Sequence, residues 1–166
     1  SVGYPKAVPL ALAEAAEAGE RDLALTVVSG GAVGDEIDTT LAAADAVARR
    51  YPFATRPAIK ERANDGRVAF HDRHVSAMSD EVRFGGLPKP DVAVVEAVAV
   101  GEGWLIPTTS LGSTPAYVEA AESLVVEVNG AQPLGLSAFH DVYLQDAPPD
   151  REPIPLDAVD GRIGSP

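Results

Sequence analysis

Two loops of this 166-residue chain carry the residue types that bind small anions. Residues 29–34 read SGGAVG and residues 108–115 read TTSLGSTP, and each loop lies between an apolar segment and a segment typical of a helix. Glycines let a backbone approach a ligand closely, while amides and hydroxyls donate hydrogen bonds to a carboxylate or a phosphate. The two loops are therefore the first candidates for a binding site.

Each loop also has a purely structural interpretation. Asp35 and Glu36 follow the first loop and would oppose an anion, so a capped tight turn explains it equally well. That loop matches neither the dinucleotide fingerprint nor the P-loop. In the second loop, Ser113 or Thr114 at the N-cap and Pro115 in the first turn would begin a helix. Because capping and binding coexist in one loop, both interpretations stay open.

Histidines and a strand carboxylate are further candidates for chemistry. His71 and His74 form a His-x-x-His pair, and His140 precedes Asp141. Without a third nearby ligand, and without cysteine, these histidines predict ordinary hydrogen bonding and no metal site. Glu96 lies inside an apolar segment, where a carboxylate must be paired or change its pKa, and we interpret it as structural rather than catalytic.

The elements that must position these residues alternate between strands and helices. Residues 91–129 predict, in order, an apolar strand, a glycine-rich turn, the loop of residues 108–115, a short helix and a second apolar strand. We call residues 108–115 the hydroxyl loop. Residues 9–19 predict a helix closed by glycine, residues 23–28 predict a strand, and the alanine-rich residues 37–50 predict a helix. This order indicates an α/β layered domain with a largely parallel sheet.

Prolines become frequent towards the end of the chain. We therefore predict one α/β domain over residues 1–144 and a Pro-rich arm or interdomain linker over residues 145–166. The chain opens on a loop that enters a helix, with no strand before it. We expect it to be a piece of a longer protein.

The charge balance narrows the class of partner. The net charge is −12, from 25 acidic and 13 basic residues, of which only Lys6, Lys60 and Lys89 are lysines. Such a surface repels nucleic acid and anionic lipid, so neither is an expected partner. The acidic surface fits a halophile-like protein that works at high salt concentration. An acidic protein that works at ordinary salt concentration is the alternative. No cysteine, signal peptide or apolar stretch of ~20 residues occurs, and we expect a cytoplasmic location.

Several ordered blocks of the sequence resemble the acetyl-CoA hydrolase/transferase family, which includes succinate:acetate and 4-hydroxybutyrate CoA-transferases. The similarity runs over essentially the whole chain and includes His140-Asp141. The blocks are residues 3–9, 29–34, 91–99, 106–112, 126–129 and 160–166.

The resemblance implies a two-domain enzyme whose halves each have the α/β fold of the NagB/RpiA/CoA-transferase type. The chain would be most of the N-terminal half without its first segment, and its partner would be the C-terminal half of the same protein. Coenzyme A, as substrate, and a small carboxylate are the implied ligands, with no metal; a homo-oligomer is possible. A glutamate of the C-terminal half would attack the acyl-CoA thioester, which implies that this chain alone neither transfers nor hydrolyses acyl-CoA.

The resemblance implies no catalytic residue within the chain. It places Thr55 at a position of the family's carboxylate pocket, and we add residues at the start of the chain and in the hydroxyl loop as substrate-binding candidates. These candidates are Gly3, Tyr4, Thr109, Ser110, Gly112 and Ser113.

Two other functions stay open from the residues. One is a non-catalytic α/β module that binds a nucleotide or an acid metabolite. A downstream glutamate in a matching second half of the protein would exclude this function. The other is a sugar-phosphate isomerase of related topology. We disfavour it because phosphate recognition needs lysine or arginine beside the glycine loops, and the sequence places none close by.

Overall fold

The computed structural model of the chain describes residues 3–31, 34–52, 54, 56–139, 141–155 and 161–164. The chain divides into two compact units. We name Pro5–Met78 the N-terminal unit, and Ser1–Tyr4 together with Ser79–Pro166 the C-terminal unit.

The N-terminal unit is built on a three-stranded sheet of order β1-β2-β3, and both strand pairs are parallel. Helices connect the strands, as parallel pairing requires. The apolar side chains of Leu41, Ile59, Val68 and Met78 are buried. Its elements are α1 (Ala7–Glu17), β1 (Leu25–Val28), α2 (Asp38–Ala43), β2 (Val47–Tyr51), α3 (Pro57–Asn64), β3 (Ala69–Phe70) and a 3₁₀ helix (Val75–Ala77).

The helix predicted over residues 37–50 is wrong in its second half. Helix α2 ends at Ala43, Asp45 has a φ of 52°, and the chain continues as β2, which pairs with β1. Alanines favour a helix in isolation, but pairing with β1 buries Val47 and Tyr51. Tertiary pairing therefore overrides the local propensity.

The C-terminal unit is built on a four-stranded sheet of order β6-β4-β5-β7. Strand β4 is parallel to β6 and antiparallel to β5, and β5 is antiparallel to β7. Val95, Ala97, Leu105 and Ile163 form its core, and Val118 packs against them. Its elements are α4 (Met78–Arg83, beginning at the unit boundary), β4 (Val92–Gly101), β5 (Trp104–Pro107), α5 (Thr114–Ala120), β6 (Ser123–Val128), a 3₁₀ helix (Leu134–Ala138) and β7 (Ile163–Gly164).

The α/β class is confirmed, and the parallel pairs β1·β2, β2·β3 and β4·β6 agree with the predicted parallel character. The hairpin from β4 into β5 is a feature that the sequence analysis missed. Gly103 at its turn has a φ of 78°, a region that favours glycine. Residues 104–107 form an apolar run of only four residues, which is too short to predict a strand by itself.

The division at residues 144 and 145 stays a prediction. Within the segment that follows it, β7 pairs with β5, and Arg151 Nη2 lies 2.6 Å from Asp80 Oδ1. The described part of this segment therefore makes specific contacts inside the C-terminal unit.

Candidate functional site

The hydroxyl loop begins where β5 ends beside the middle of β4. Pro107 pairs with Ala97, and Thr108 N donates to Glu96 O at 3.3 Å. Thr108 is fully buried, and its Oγ1 has no hydrogen-bond partner among the described residues. A buried polar group left unpaired costs about 1–3 kcal/mol. A ligand or an ordered water that bonds to this hydroxyl would remove that cost.

Gly3 packs directly on this loop. Its N donates to Thr109 Oγ1 at 3.0 Å. A Cβ on residue 3 would stand 2.1 Å from Thr108 Oγ1, 2.7 Å from Thr109 N and 2.9 Å from Ser110 N. These distances are too short for any side chain. The structure therefore brings Gly3, Thr109 and Ser110, three of the candidate residues, to one place.

The other candidates of the C-terminal unit are less closely associated. Gly112 is exposed and has a φ of 47°. Ser113 takes the N-cap position of α5, with proline in the first turn as predicted, but its side chain makes no capping hydrogen bond. Tyr4 follows Gly3 and is half-buried. Thr55 lies outside the described residues, so its role stays a prediction.

A buried pair that the sequence analysis half anticipated lies beside the loop. Glu96 is 5% exposed, and Asn129 Nδ2 donates to its Oε1. Asn129 is held by its N, which donates to Ala97 O at 2.8 Å, and by its Oδ1, which accepts from Ala131 N at 3.0 Å. Of the two alternatives for Glu96, a paired carboxylate or one with a changed pKa, the structure shows the pairing. Asn129 itself was missed, although its place directly after an apolar strand was the available signal.

Thr108 and Asn129 thus flank β4 on its two sides, one after β5 and the other after β6. Residues 108–115 contain hydroxyls, amides and no charged side chain. Neutral donors of this kind can orient a small carboxylate, and they include no group with the reactivity of an activated nucleophile. The arrangement could hold a small acid through neutral hydrogen-bond donors.

The loop of residues 29–34, which we call the glycine loop, follows β1 in the N-terminal unit. The sequence suggested that no arginine or lysine lies beside this loop, and that expectation is wrong. Arginine does lie close to it: Arg50 Nη2 donates to Ser29 Oγ at 2.8 Å, and Arg56 Nε donates to Gly34 O at 3.0 Å. Arg50 was missed because it was assigned to a helix. The loop residues Ala32 and Val33 lie outside the described residues.

Arg50 is held by the protein itself. Its Nε lies 2.7 Å from Asp38 Oδ1, both side chains are 1% exposed, and Nη1 donates to Tyr51 O. Asp38, Tyr51 and Ser29 together accept from all three guanidinium nitrogens, so Arg50 orders the start of the glycine loop, and its side chain is buried away from ligands. The side chain of Arg56 is 30% exposed, and its Nε also lies 3.4 Å from Asp35 Oδ1.

Two of the histidines have protein partners. The His71 ring stacks on Tyr51 with centroids 4.5 Å apart, and His74 Nδ1 lies 2.7 Å from Ser76 Oγ. His140 lies outside the described residues. In the part of the chain that the structure describes, no group of three or more His, Cys, Asp or Glu residues could hold a metal ion. No helix in the same part is long and apolar enough to span a bilayer.

Known proteins with similar sequences cover the chain almost completely. It is 40% identical to the succinyl-CoA:acetate CoA-transferase of Clostridium kluyveri over 98% of the chain and 30% of that protein. It is 33% identical to the acetyl-CoA hydrolase of Schizosaccharomyces pombe over 99% of the chain and 33% of that protein. It is 30% identical to the propanoyl-CoA:succinate CoA transferase of Escherichia coli over 98% of the chain and 34% of that protein.

The chain thus spans about a third of the length of these relatives. The sequence profile of one family, described as the acetyl-CoA hydrolase/transferase N-terminal domain, matches residues 1–159. The chain therefore belongs to the acetyl-CoA hydrolase/transferase N-terminal domain family.

Proposed function

We propose that the chain is part of an enzyme that moves coenzyme A between small carboxylates, such as acetate, succinate or 4-hydroxybutyrate, or hydrolyses acetyl-CoA. The observation that carries this proposal is the similarity to CoA-transferases and acetyl-CoA hydrolases over at least 98% of the chain. Coenzyme A would be a substrate, and no metal enters the proposed reaction.

In this proposal the hydroxyl loop and Gly3 form part of the pocket for the small acid. The close contact of Gly3 with Thr109 and Ser110 supports that role, because it fixes the hydroxyls and amides of the loop. Neutral donors bind a carboxylate without lysine, of which this acidic chain has only three. Tyr4, Gly112 and Ser113 would complete this part of the pocket, and Thr55 stays a separate acid-binding candidate that the family resemblance implies.

The nucleophile would be a glutamate in the C-terminal part of the protein. Its carboxylate attacks the acyl carbon of the thioester, the C–S bond breaks, and CoA leaves as the thiolate, which produces an acyl-glutamyl anhydride. The thiolate then attacks the glutamyl carbonyl and releases the acyl group as a carboxylate, which leaves a glutamyl-CoA thioester. The acceptor acid reverses these steps, whereas water at the anhydride gives hydrolysis. The present chain would hold the acid throughout.

Acyl transfer by the full-length polypeptide tests the proposal. The purified protein is incubated with succinyl-CoA and acetate, acetyl-CoA formation is followed by chromatography, and hydrolysis is followed by release of free thiol. We expect turnover by the full-length protein and none by residues 1–166 alone. A full-length protein that turns over no acyl-CoA, or an active 166-residue chain, would contradict the proposal.

The role of the loop is tested by Thr109→Val in the same full-length protein. Loss of one hydrogen bond to a carboxylate is worth about 1.5–3 kcal/mol, which corresponds to a KM for the acid raised about 10-fold to 150-fold. Thr26→Val on β1, where Thr26 is exposed, is the matched control. Equal KM values for the two variants would contradict the assignment of the hydroxyl loop to the acid-binding pocket.

We further propose a cytoplasm of high salt as the working environment. The net charge of −12 supports this, because salt screens the repulsion between the carboxylates. Thermal unfolding in molar KCl and in dilute buffer tests it. A melting temperature that does not rise with salt would contradict it.

A further inference from the structure

Strand β6 is the outer strand of the sheet in the C-terminal unit, and β4 is its neighbour in that sheet. An outer strand in contact with water usually carries polar side chains on at least one face. Here Leu124 is 43% exposed, Val125 is 40% exposed and Val128 is 56% exposed. Apolar side chains are therefore exposed on successive positions and thus on both faces of the strand.

Among the described residues, the backbone of β6 also has a side that pairs with no other strand. Ser123 N donates to Asp91 O, and Asn129 N donates to Ala97 O, at the two ends of the ladder. The register with β4 is continuous between them, so the N–H groups of odd-numbered residues point to β4. By the same alternation, the N–H groups of Leu124, Val126 and Val128 point away from β4. They form a row that is complementary to another strand.

Soluble proteins protect such edges with lysine, proline, bulges or inward charges. Strand β6 has the sequence SLVVEV, in which Glu127 is the one charged residue; it has no lysine or proline, and its pairing with β4 has no register shift. A mostly apolar edge with so little protection is a site for strand addition. The sequence of β6 is therefore that of an interior strand.

We propose that the free edge of β6 pairs with a β-strand from the remainder of the full-length polypeptide. The inference rests on the proposed function, in which this chain is one part of a longer protein. The relatives supply the argument for this occupant, because the greater part of each relative's length lies outside the matched region. A strand from that remainder would cover the exposed valines and make β6 an interior strand.

Residue-resolved amide hydrogen exchange in the full-length polypeptide tests the proposal without reference to activity. We expect the amides of Leu124, Val126 and Val128 to exchange as slowly as those of Val125 and Glu127, which is about 100-fold or more below the rate of an open edge. Rapid exchange at the even positions alongside slow exchange at the odd positions would overturn the proposal. Protection that disappears on dilution, together with a dimer in solution, would assign the edge to a second copy and also overturn it.

A matched pair of variants gives a second test. Val128→Lys places a charge on the proposed interface, whereas Val100→Lys changes a valine of similar exposure, 53%, on β4. In the full-length protein we expect Val128→Lys to lower the melting temperature by several degrees more than Val100→Lys and to speed exchange at Leu124 and Val126. Equal effects of the two variants would overturn the proposal. Loss of acyl transfer with the exchange pattern intact would instead contradict the proposed function alone.

Discussion

Gly3 and Thr108 lie so close that a Cβ on residue 3 would stand 2.1 Å from Thr108 Oγ1. The two residues are more than a hundred positions apart in the sequence, and Gly3 N donates to the neighbouring Thr109 Oγ1. The glycine is thus required by a close approach between two backbones. The same approach fixes the loop to which we assign the small acid.

Gly3→Ala is expected to destabilise the protein. The added methyl group overlaps the backbone N atoms of Thr109 and Ser110, which cannot rotate away, so the loop must shift. We expect the free energy of unfolding to fall by about 1–3 kcal/mol in urea denaturation. Gly130→Ala is the control, because a Cβ on Gly130 meets nothing within 4 Å. Equal stability of the two variants would show that the loop yields without cost.

The buried ion pair between Arg50 and Asp38 is expected to be essential for the N-terminal unit. Asp38→Ala leaves a buried guanidinium without its carboxylate, and we expect a loss of about 3–5 kcal/mol in the free energy of unfolding. Glu119→Ala removes the partner of Arg83 from a pair in which Glu119 is 50% exposed, and it should cost less than about 1 kcal/mol. Denaturant titration of both variants measures the difference in the free energy of unfolding. Similar losses in the two variants would contradict the claim that burial makes the Arg50–Asp38 pair more important than the exposed pair.

Asn129→Asp is expected to break the pair with Glu96. The change replaces the amide donor with a second carboxylate beside a buried one, and we expect a cost of at least about 2 kcal/mol. Adding Glu96→Gln restores one donor and one acceptor, so the double variant should recover much of that loss. Asn64→Asp, at an exposed position, should change stability by less than about 0.5 kcal/mol. A double variant no more stable than Asn129→Asp would contradict the pairing.

The exposed carboxylate of Asp65 gives a prediction about pH. A hydrogen bond from the Arg67 side chain, with Nη2 2.6 Å from Oδ2, holds the pKa of Asp65 below its usual value. The folded state therefore favours the ionised carboxylate. Its contribution to stability is present above the unfolded pKa of about 4 and is lost as the pH falls through the lower pKa of the folded state.

NMR titration of the Asp65 carboxyl group checks this direction. In Arg67→Ala the titration midpoint should rise towards the ordinary value for aspartate, because the donor is gone. Arg21→Ala changes an exposed arginine elsewhere in the sequence and should leave the midpoint where it was. A midpoint unaffected by Arg67→Ala would refute the assigned cause.

The sequence by itself determined the class of fold, the family and the position of the hydroxyl loop. Local signals were sufficient where an element is decided within a few residues. Gly19 after α1 has the positive φ of 71° expected of a helix-ending glycine, and proline occupies the first turn of α5. The alternation of strands and helices gave the α/β class for the same reason.

Only the tertiary structure decided which segments pair and which side chains meet. Residues 47–51, with the sequence VARRY, include an alanine and two arginines, which favour a helix locally. They form β2 because β1 offers a parallel partner. Trp104–Pro107 became β5 through pairing with β4, and the contacts of Asn129 with Glu96 and of Gly3 with Thr109 join distant positions. Local sequence patterns do not encode such contacts, since the free energy that favours them arises only when distant segments are buried together.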